Sequence, residues 1–340
     1  MTLSALDDKP ESTKPGGVPP ALSVVIPTHN RKGTLLKGLE ALRRQSLPWN
    51  SFEVVVISDG STDGTAEALR ALSLPYALRL EEQVNQGPAA ARNNGFRLAA
   101  APIIVFMDDD IEPSADFLAV HLSAHEQGQD VVLIGPQSGP AGETIPHWIA
   151  WEHLMLRRQY DNFVSGVWET GPNNLYSGNF SVRREHLEAA GGFDVRFTRQ
   201  EDVELGFRLA KRGLKFRFDM RAEGIHRPTR TFESWYRTPY EYGKRDVQIA
   251  REIGNATPME LARRHWAERN GATRLLARIS IGMPVVLPIV LGAGRLAVRF
   301  GGRRIALASC SVLFNLRYLQ GMCEALGGRA ELWRTIRSAG

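Results

Sequence analysis

Three carboxylates stand side by side at Asp108-Asp109-Asp110, directly after the apolar stretch IIVFM (103–107). Adjacent carboxylates repel one another, and a hard divalent cation with oxygen ligands is their natural neutraliser. If the strand runs on into them, residues two apart point the same way, so Asp108 and Asp110 address one site and Asp109 another. A solvated turn or a helix cap before Ile111 would use the same residues without chemistry. Asp59 closes a second apolar stretch, EVVVIS (53–58), and opens the small-residue loop GSTDGT (60–65). A carboxylate there can accept hydrogen bonds from a base or a ribose, and the glycines permit close backbone approach. Asp63, in the same loop, reads better as a helix cap. Glu201-Asp202 form a further acidic pair near the start of QEDVELGFRLAKRG (200–213), where capping is the simplest use. Neither G-x-G-x-x-G nor G-x-x-x-x-G-K-[ST] occurs, so the usual dinucleotide fingerprint and the P-loop are both missing.

The elements that must position these groups alternate. LSVVI (22–26), EVVVIS (53–58), YALRL (76–80) and IIVFM (103–107) read as strands. Helices are expected over 33–45, with Leu35, Leu36, Leu39 and Leu42 on one face, over 66–72, and over 87–100 with Pro88 in the first turn. Short connections and apolar strands predict a mostly parallel, Rossmann-like α/β sheet with helices on both faces. In such sheets ligands bind beyond the carboxyl ends of the strands. That is where Thr28-His29-Asn30, Asp59, Asn85 and Asp108–Asp110 fall. Further along, VVLIGP (131–136) and FRFDM (216–220) read as strands. Trp148, Trp151 and Trp168 are either core anchors or sugar-stacking platforms.

Six segments in order, SVVIPTHNR (23–31), VISDGSTDGT (56–65), NQGPAAARNNG (85–95), FMDDDIEP (106–113), SGNFSVRRE with GGFD (177–194) and QEDVELGFRL (200–209), resemble glycosyltransferase family two, inverting enzymes with a GT-A type fold. The resemblance runs from about 23 to 226. It implies that Pro27, Thr28 and Asn30 line a nucleotide pocket, that Asp59 bonds the base, usually uracil, and that Gly87 and Arg92 lie near ribose or diphosphate. Asp108 and Asp109 join these contacts, with Asp108 at the ribose or the metal shell. Asp110 binds Mn²⁺ or Mg²⁺, and His226, in EGIHRP, adds to the metal set (Asp108, Asp110, His226). Gly178, Asn179 and Glu201 border sugar and acceptor, and Asp202 is the catalytic base. The implied activity is a metal-dependent hexosyl transfer, from a nucleotide diphosphate sugar (UDP-linked) to a glycan or lipid-linked acceptor, as in polysaccharide biosynthesis. The alternative is a nucleotide-sugar binding protein without catalysis. Arg92 can instead pair with a carboxylate, and His226 can be an ordinary packed histidine. No Q-x-x-R-W occurs, which speaks against a processive synthase.

The chain has 340 residues with net charge +5. Residues 251–340 hold 14 Arg, no Lys and five Glu, so the basic excess is C-terminal. Two cysteines, Cys310 and Cys323, exclude a disulfide scaffold or a thiolate zinc site. A disordered leader is expected over 1–20, with no signal peptide pattern. Residues 21–232 form the expected catalytic domain, divided into a nucleotide-sugar half (21–130) and an acceptor half (131–232). Residues 233–340 form a basic helical C-terminal region. Two uncharged runs there, 279–294 and 305–316, are each shorter than the ~20 residues of a spanning helix. They form a buried helical hairpin or one inserted at an anionic membrane surface. Isolated aromatics do not interleave the arginines, so nucleic acid is not an expected partner. The expected location is cytoplasmic, or peripheral or monotopic at the inner face of the cell membrane.

Overall fold

The computed structural model describes residues 19–337, apart from 198, 253, 255 and 256. The leader expected over 1–20 lies, up to residue 18, outside the described residues. The chain runs β1 (Leu22–Thr28), α1 (Lys32–Leu42), β2 (Phe52–Asp59), α2 (Thr65–Arg70), β3 (Ala77–Gln83), α3 (Pro88–Leu98) and β4 (Ile103–Met107). It continues through β5 (Ile111–Pro113), α4 (Phe117–Gln127), β6 (Val131–Ile134), β7 (Gln137–Ser138), α5 (His147–Val164), β8 (Asn179–Arg183), α6 (Arg184–Ala190), α7 (Glu201–Lys211), β9 (Lys215–Phe218) and β10 (Gly224–His226).

A seven-stranded sheet has the order β3-β2-β1-β4-β8-β6-β9. All its strands are parallel except β8, which runs against both β4 and β6. The continuous apolar runs are explained by burial on both faces. Val25, Val55, Ile57, Ile104 and Phe106 pack against α3 and α7, through Ala91, Phe96, Leu205 and Leu209. Their alternating neighbours Val24, Ile26, Val54, Val56, Val105 and Met107 pack against α1 and α4, through Leu35, Leu39, Phe117 and Leu118. Each fully buried side chain of this size contributes about 1.5–3 kcal/mol, so β1, β2 and β4 are the rigid platform of the molecule. A second sheet, β5-β10-β7, was not foreseen; its strands have two or three residues each, too few to show a pattern.

The C-terminal region is helical: α8 (Phe232–Glu252), α9 (Thr257–Glu268), α10 (Gly271–Ser280), α11 (Val286–Phe300), α12 (Arg303–Leu326) and α13 (Arg329–Arg337). Trp235, Val247, Leu291, Cys310, Leu313, Leu316 and Met322 share one core, which also takes in Trp151 of α5. Trp151 meets Trp235 edge-on at 5.8 Å and Phe314 at 4.9 Å, and Trp148 packs on Phe232 at 5.4 Å. These two tryptophans therefore anchor α5 to the helical region. Cys310 and Cys323 are buried and unbridged. The uncharged runs become the hairpin α11–α12, and among the described residues no helix is long and apolar enough to cross a membrane.

Candidate active site

The polar ends of β1 and β2 are tied to each other before any ligand arrives. Asn30 takes the left-handed conformation (φ 53°), its N–H donates to Ser61 Oγ at 3.1 Å, and its Oδ1 accepts from the Thr62 N–H at 2.7 Å. Asp63 accepts from the Lys32 N–H (2.9 Å) and the Thr65 N–H (3.2 Å), and so caps the starts of both α1 and α2. Asp59 is 4% exposed and is used internally. Its Oδ1 accepts from Gln83 Nε2 and the Gln86 N–H, both at 2.8 Å, and its Oδ2 from the Gly87 N–H at 2.8 Å. The carboxylate expected to read a base thus holds the turn that opens α3. Gly87 lies in that turn at φ 88°, a conformation unfavourable to residues with a Cβ, and Pro88 follows at the first helical position. Pro27 is half-buried in β1.

The acidic triplet departs from the expected alternation. β4 stops at Met107, and 108–111 form a turn closed by the Ile111 N–H on the Asp108 carbonyl at 3.2 Å. The period-two rule of a strand no longer applies there. Asp109 and Asp110, not Asp108 and Asp110, share a partner: Arg31 Nη1 donates to Asp109 Oδ1 (3.1 Å) and Asp110 Oδ2 (2.7 Å). The Thr28 hydroxyl also donates to Asp109 at 2.7 Å. Burial pushes the Asp109 carboxyl up to about 6, against the pull of Arg31. Burial acts on Asp110 in the same direction, but His226 and then Arg31 outweigh it and hold that carboxyl below its usual range. His226 Nε2 lies 3.5 Å from Asp110 Oδ1, because β10 pairs with β5 in a register that sets His226 opposite Ile111.

The expected metal set is therefore only partly assembled. Among the described residues no three His, Cys, Asp or Glu side chains converge tightly enough to hold a metal ion. Asp110 and His226 do converge; the carboxylate oxygen suits Mn²⁺ or Mg²⁺, and the imidazole nitrogen favours Mn²⁺ of the two. The His226 Nδ1 is buried without a partner. Asp108, the third member of the expected metal set, is joined to Arg92: its Oδ1 accepts from Arg92 Nη2 at 2.7 Å.

Arg92, on α3 and 4% exposed, is the bridge of the site. Its Nη1 donates to Glu201 Oε1 at 2.8 Å, so one guanidinium joins the acidic turn to the start of α7. Glu201 is thus a salt-bridge partner on the inner side of α7. Beside it, Asp202 is half-buried; its Oδ2 accepts from the Ser177 N–H (2.9 Å) and its Oδ1 from the Val203 N–H (2.8 Å). Burial raises both carboxyls. For Glu201 the charge of Asp202 adds to the rise and Arg92 opposes it. For Asp202 the Ser177 hydrogen bond and Arg92 oppose it.

The turn before α7 is strained. Gln200 has φ 58°, a region residues with a Cβ rarely adopt. Its Nε2 donates to Asp246 Oδ1 on α8 at 2.9 Å, and Asp246 Oδ2 accepts from the Tyr318 hydroxyl on α12 at 2.5 Å. The C-terminal helices thereby hold the residue preceding the Glu201-Asp202 pair. Burial pushes Asp246 up to about 6. A carboxyl whose folded value exceeds its unfolded one stabilises the fold below the unfolded value and loses that contribution as pH rises through the folded one. Asp246→Asn is therefore expected to gain in melting temperature relative to the natural protein between pH 5 and pH 8, as differential scanning fluorimetry would record.

Gly178 and Asn179 part company. A Cβ at Gly178 would lie 2.6 Å from both Asp108 Oδ2 and Gln137 Nε2, so glycine leaves room for the acidic turn. Gly178→Ala is expected to displace Asp108 and lower kcat/KM on the order of 10²-fold. The melting temperature should change little, because the nearest atoms are side-chain ends of Asp108 and Gln137 and not backbone. Asn179 is 0% exposed, with Nδ2 donating to the Pro136 and Ala222 carbonyls at 2.9 Å and Oδ1 3.1 Å from His121 Nε2. It joins β8 to neighbouring loops, so the side chain expected at the sugar is spent on internal hydrogen bonds. Arg31, Gln200, Asp246 and Tyr318 were not singled out from the sequence. Arg31 had a visible signal, a cation three residues past a strand end in a chain with an acidic triplet at a neighbouring strand end. The other three had none, since their meeting depends on how α8 and α12 pack.

Residues 23–190 match the family model described as Glycosyl transferase family 2. The chain belongs, through these residues, to glycosyl transferase family 2. It is 27% identical over 312 residues to validoxylamine A glucosyltransferase of Streptomyces hygroscopicus subsp. jinggangensis (strain 5008), covering 79% of this chain and 74% of that one. The fold of this family 2 chain is GT-A type. It superposes on the mannosyltransferase PcManGT of Pyrobaculum calidifontis, solved in complex with GDP-Man and Mn²⁺, with a TM-score of 0.60, 21% identity and coverage of 92% and 90%. It superposes on residues 1–349 of S. aureus TarS, in complex with UDP-GlcNAc, with a TM-score of 0.57, 18% identity and coverage of 90% and 92%. Of a longer TarS chain the match spans 55%.

Proposed function

We propose that this family 2 protein transfers one sugar from a nucleoside diphosphate sugar, UDP-linked, to an acceptor hydroxyl, inverting the anomeric carbon. The observation that carries the reading is the Arg92 bridge: at 2.7 and 2.8 Å it links the turn that would receive the diphosphate to the helix start bearing the base. Asp110 and His226 would hold the divalent cation, Mn²⁺ or Mg²⁺. When bound, that cation stabilises charge on the departing diphosphate. Pro27, Thr28 and Asn30 line the nucleotide pocket, and Asp59 supports it through the Gln86–Gly87 turn. Asp109 acts through Thr28 and Arg31, while Asp108 faces the ribose and Arg92 the diphosphate side. Gly178 leaves space for the sugar. Asp202 accepts the proton of the acceptor hydroxyl, from the face opposite the leaving group. Its two backbone hydrogen bonds fix the carboxylate plane at Oδ1 and Oδ2. The acceptor is a glycan or a lipid-linked glycan met at the inner face of a membrane.

Thermal shift with a panel of nucleotide sugars tests the donor side. A ligand at a hundred times its Kd adds about 2.7 kcal/mol of apparent stability. UDP-sugars are expected to raise the melting temperature with Mn²⁺ present and much less with EDTA. A panel in which no nucleotide sugar raises it would refute the reading.

A further inference from the structure

Helix α11 is apolar on two opposite sides, and among the described residues only one of them is covered. Leu287, Leu291 and Val298 are buried in the helical core. Val285, Ile289, Leu296 and Phe300 are 68%, 65%, 60% and 74% exposed, and steps of four, seven and four residues set them in one stripe along the helix. Leu275 and Ile279, four apart on α10, are exposed as well. Of the sixteen large apolar side chains exposed among the described residues, eight fall between 275 and 305, so this surface is a concentrated feature and not scatter.

The charge around the stripe is of one sign. Residues 269–323 contain eight Arg and no Lys, Asp or Glu. Arg299, Arg303 and Arg304 are exposed and make no ion pair with a carboxylate among the described residues. Arg299 lies 5.3 Å over the ring of Phe300, at the end of the stripe. Arg295 differs from these three: it pairs with Glu233 and lies 5.2 Å over Tyr236 at the start of α8. At 15 residues α11 is ~22 Å long, too short for a hydrocarbon core of ~30 Å, so a spanning arrangement is excluded. A basic helix with an outward apolar stripe fits the plane of a headgroup layer.

We propose that the exposed face of α10–α11, with the first turn of α12, is a docking surface for an anionic lipid bilayer. The stripe enters the boundary between headgroups and acyl chains, and Arg299, Arg303 and Arg304 meet lipid phosphates. Through Arg295 and Glu233 the surface is tied to the start of α8, which begins six residues after His226. This deepens the acceptor side of the reading above, yet it rests on the surface alone and fails or stands independently of the donor site.

Co-sedimentation of the full chain with vesicles tests it. In 0.1 M salt the protein is expected to partition at least tenfold more strongly onto phosphatidylcholine–phosphatidylglycerol vesicles than onto phosphatidylcholine alone. The pair Ile289→Asn with Leu296→Gln should lower that partition at least tenfold, and so should Arg299→Gln, Arg303→Gln and Arg304→Gln together. The nucleotide-sugar thermal shift should stay unchanged in both variants, which shows that they remain folded. Absence of binding to anionic vesicles overturns the proposal, as does equal binding to neutral ones. So does a dimer in light scattering that Leu296→Gln makes monomeric, since a second copy would then cover the face.

Discussion

Asp202→Asn is expected to lower kcat for sugar transfer by about 10²–10⁴-fold, the usual contribution of a positioned general base. Among the described residues Asp202 carries the one carboxylate in the first turn of α7 without an ion pair, since Glu201 is held by Arg92 and Glu204 by Arg208. Asparagine keeps the shape but sets an amide N–H₂ against one of two backbone donors, the Ser177 or the Val203 N–H. One lost hydrogen bond costs about 0.5–1.5 kcal/mol, so the variant should fold and bind UDP with nearly natural affinity. A general base acts ionised. Because burial raises the Asp202 carboxyl, activity of the natural protein should fall, on acidification, at a pH above the ordinary aspartate range. That acid limb should vanish in the variant. Steady-state kinetics across pH decides the matter: a variant retaining a tenth or more of natural kcat would remove Asp202 from the chemistry.

Arg92→Met is expected to have the largest effect on stability, about 3–5 kcal/mol, because it leaves a buried charge without its partner. Glu201 is 7% exposed and has Arg92 as its ion-pair partner, and Asp108 loses the same contact. Burial and Asp202 already hold the Glu201 carboxyl high, and removing the cation that opposes them raises it further. A folded value above the unfolded one means that ionisation opposes folding. The loss in Arg92→Met should therefore deepen as pH rises through the Glu201 value and ease in acid. Glu201→Gln added to Arg92→Met should restore part of the stability at pH 8, and chemical denaturation at pH 5 and 8 measures both. Equal losses at the two pH values would mean that packing, not charge, dominates at Arg92.

The central strands were legible because burial on both faces writes a continuous apolar run. LSVVI, EVVVIS and IIVFM are found within two residues of their expected ends. The edge strand β3 was read short, since its last residues, Glu81, Glu82 and Gln83, are polar and half-exposed or exposed. Strand β8 was not read as a strand: Asn179 and Ser181 are buried polar groups serving His121 and His125, and a polar residue at zero exposure gives no hydrophobic signal. The positions of the acidic groups were legible as strand ends, but their directions were not. A turn rotated Asp108 toward Arg92, and turns of this kind follow from contacts far along the chain. The support of Gln200 by Asp246 and Tyr318 spans more than a hundred residues and leaves no local pattern.

The most direct test of the site is diffraction from crystals grown with UDP and Mn²⁺, recorded at the manganese absorption edge. One anomalous peak is expected, coordinated by the Asp110 carboxylate and His226, with the diphosphate beside the 108–110 turn and Asp202 open to the vacant sugar position. An anomalous peak and uridine density lodged elsewhere, with Asp110 and His226 unliganded, would contradict this assignment.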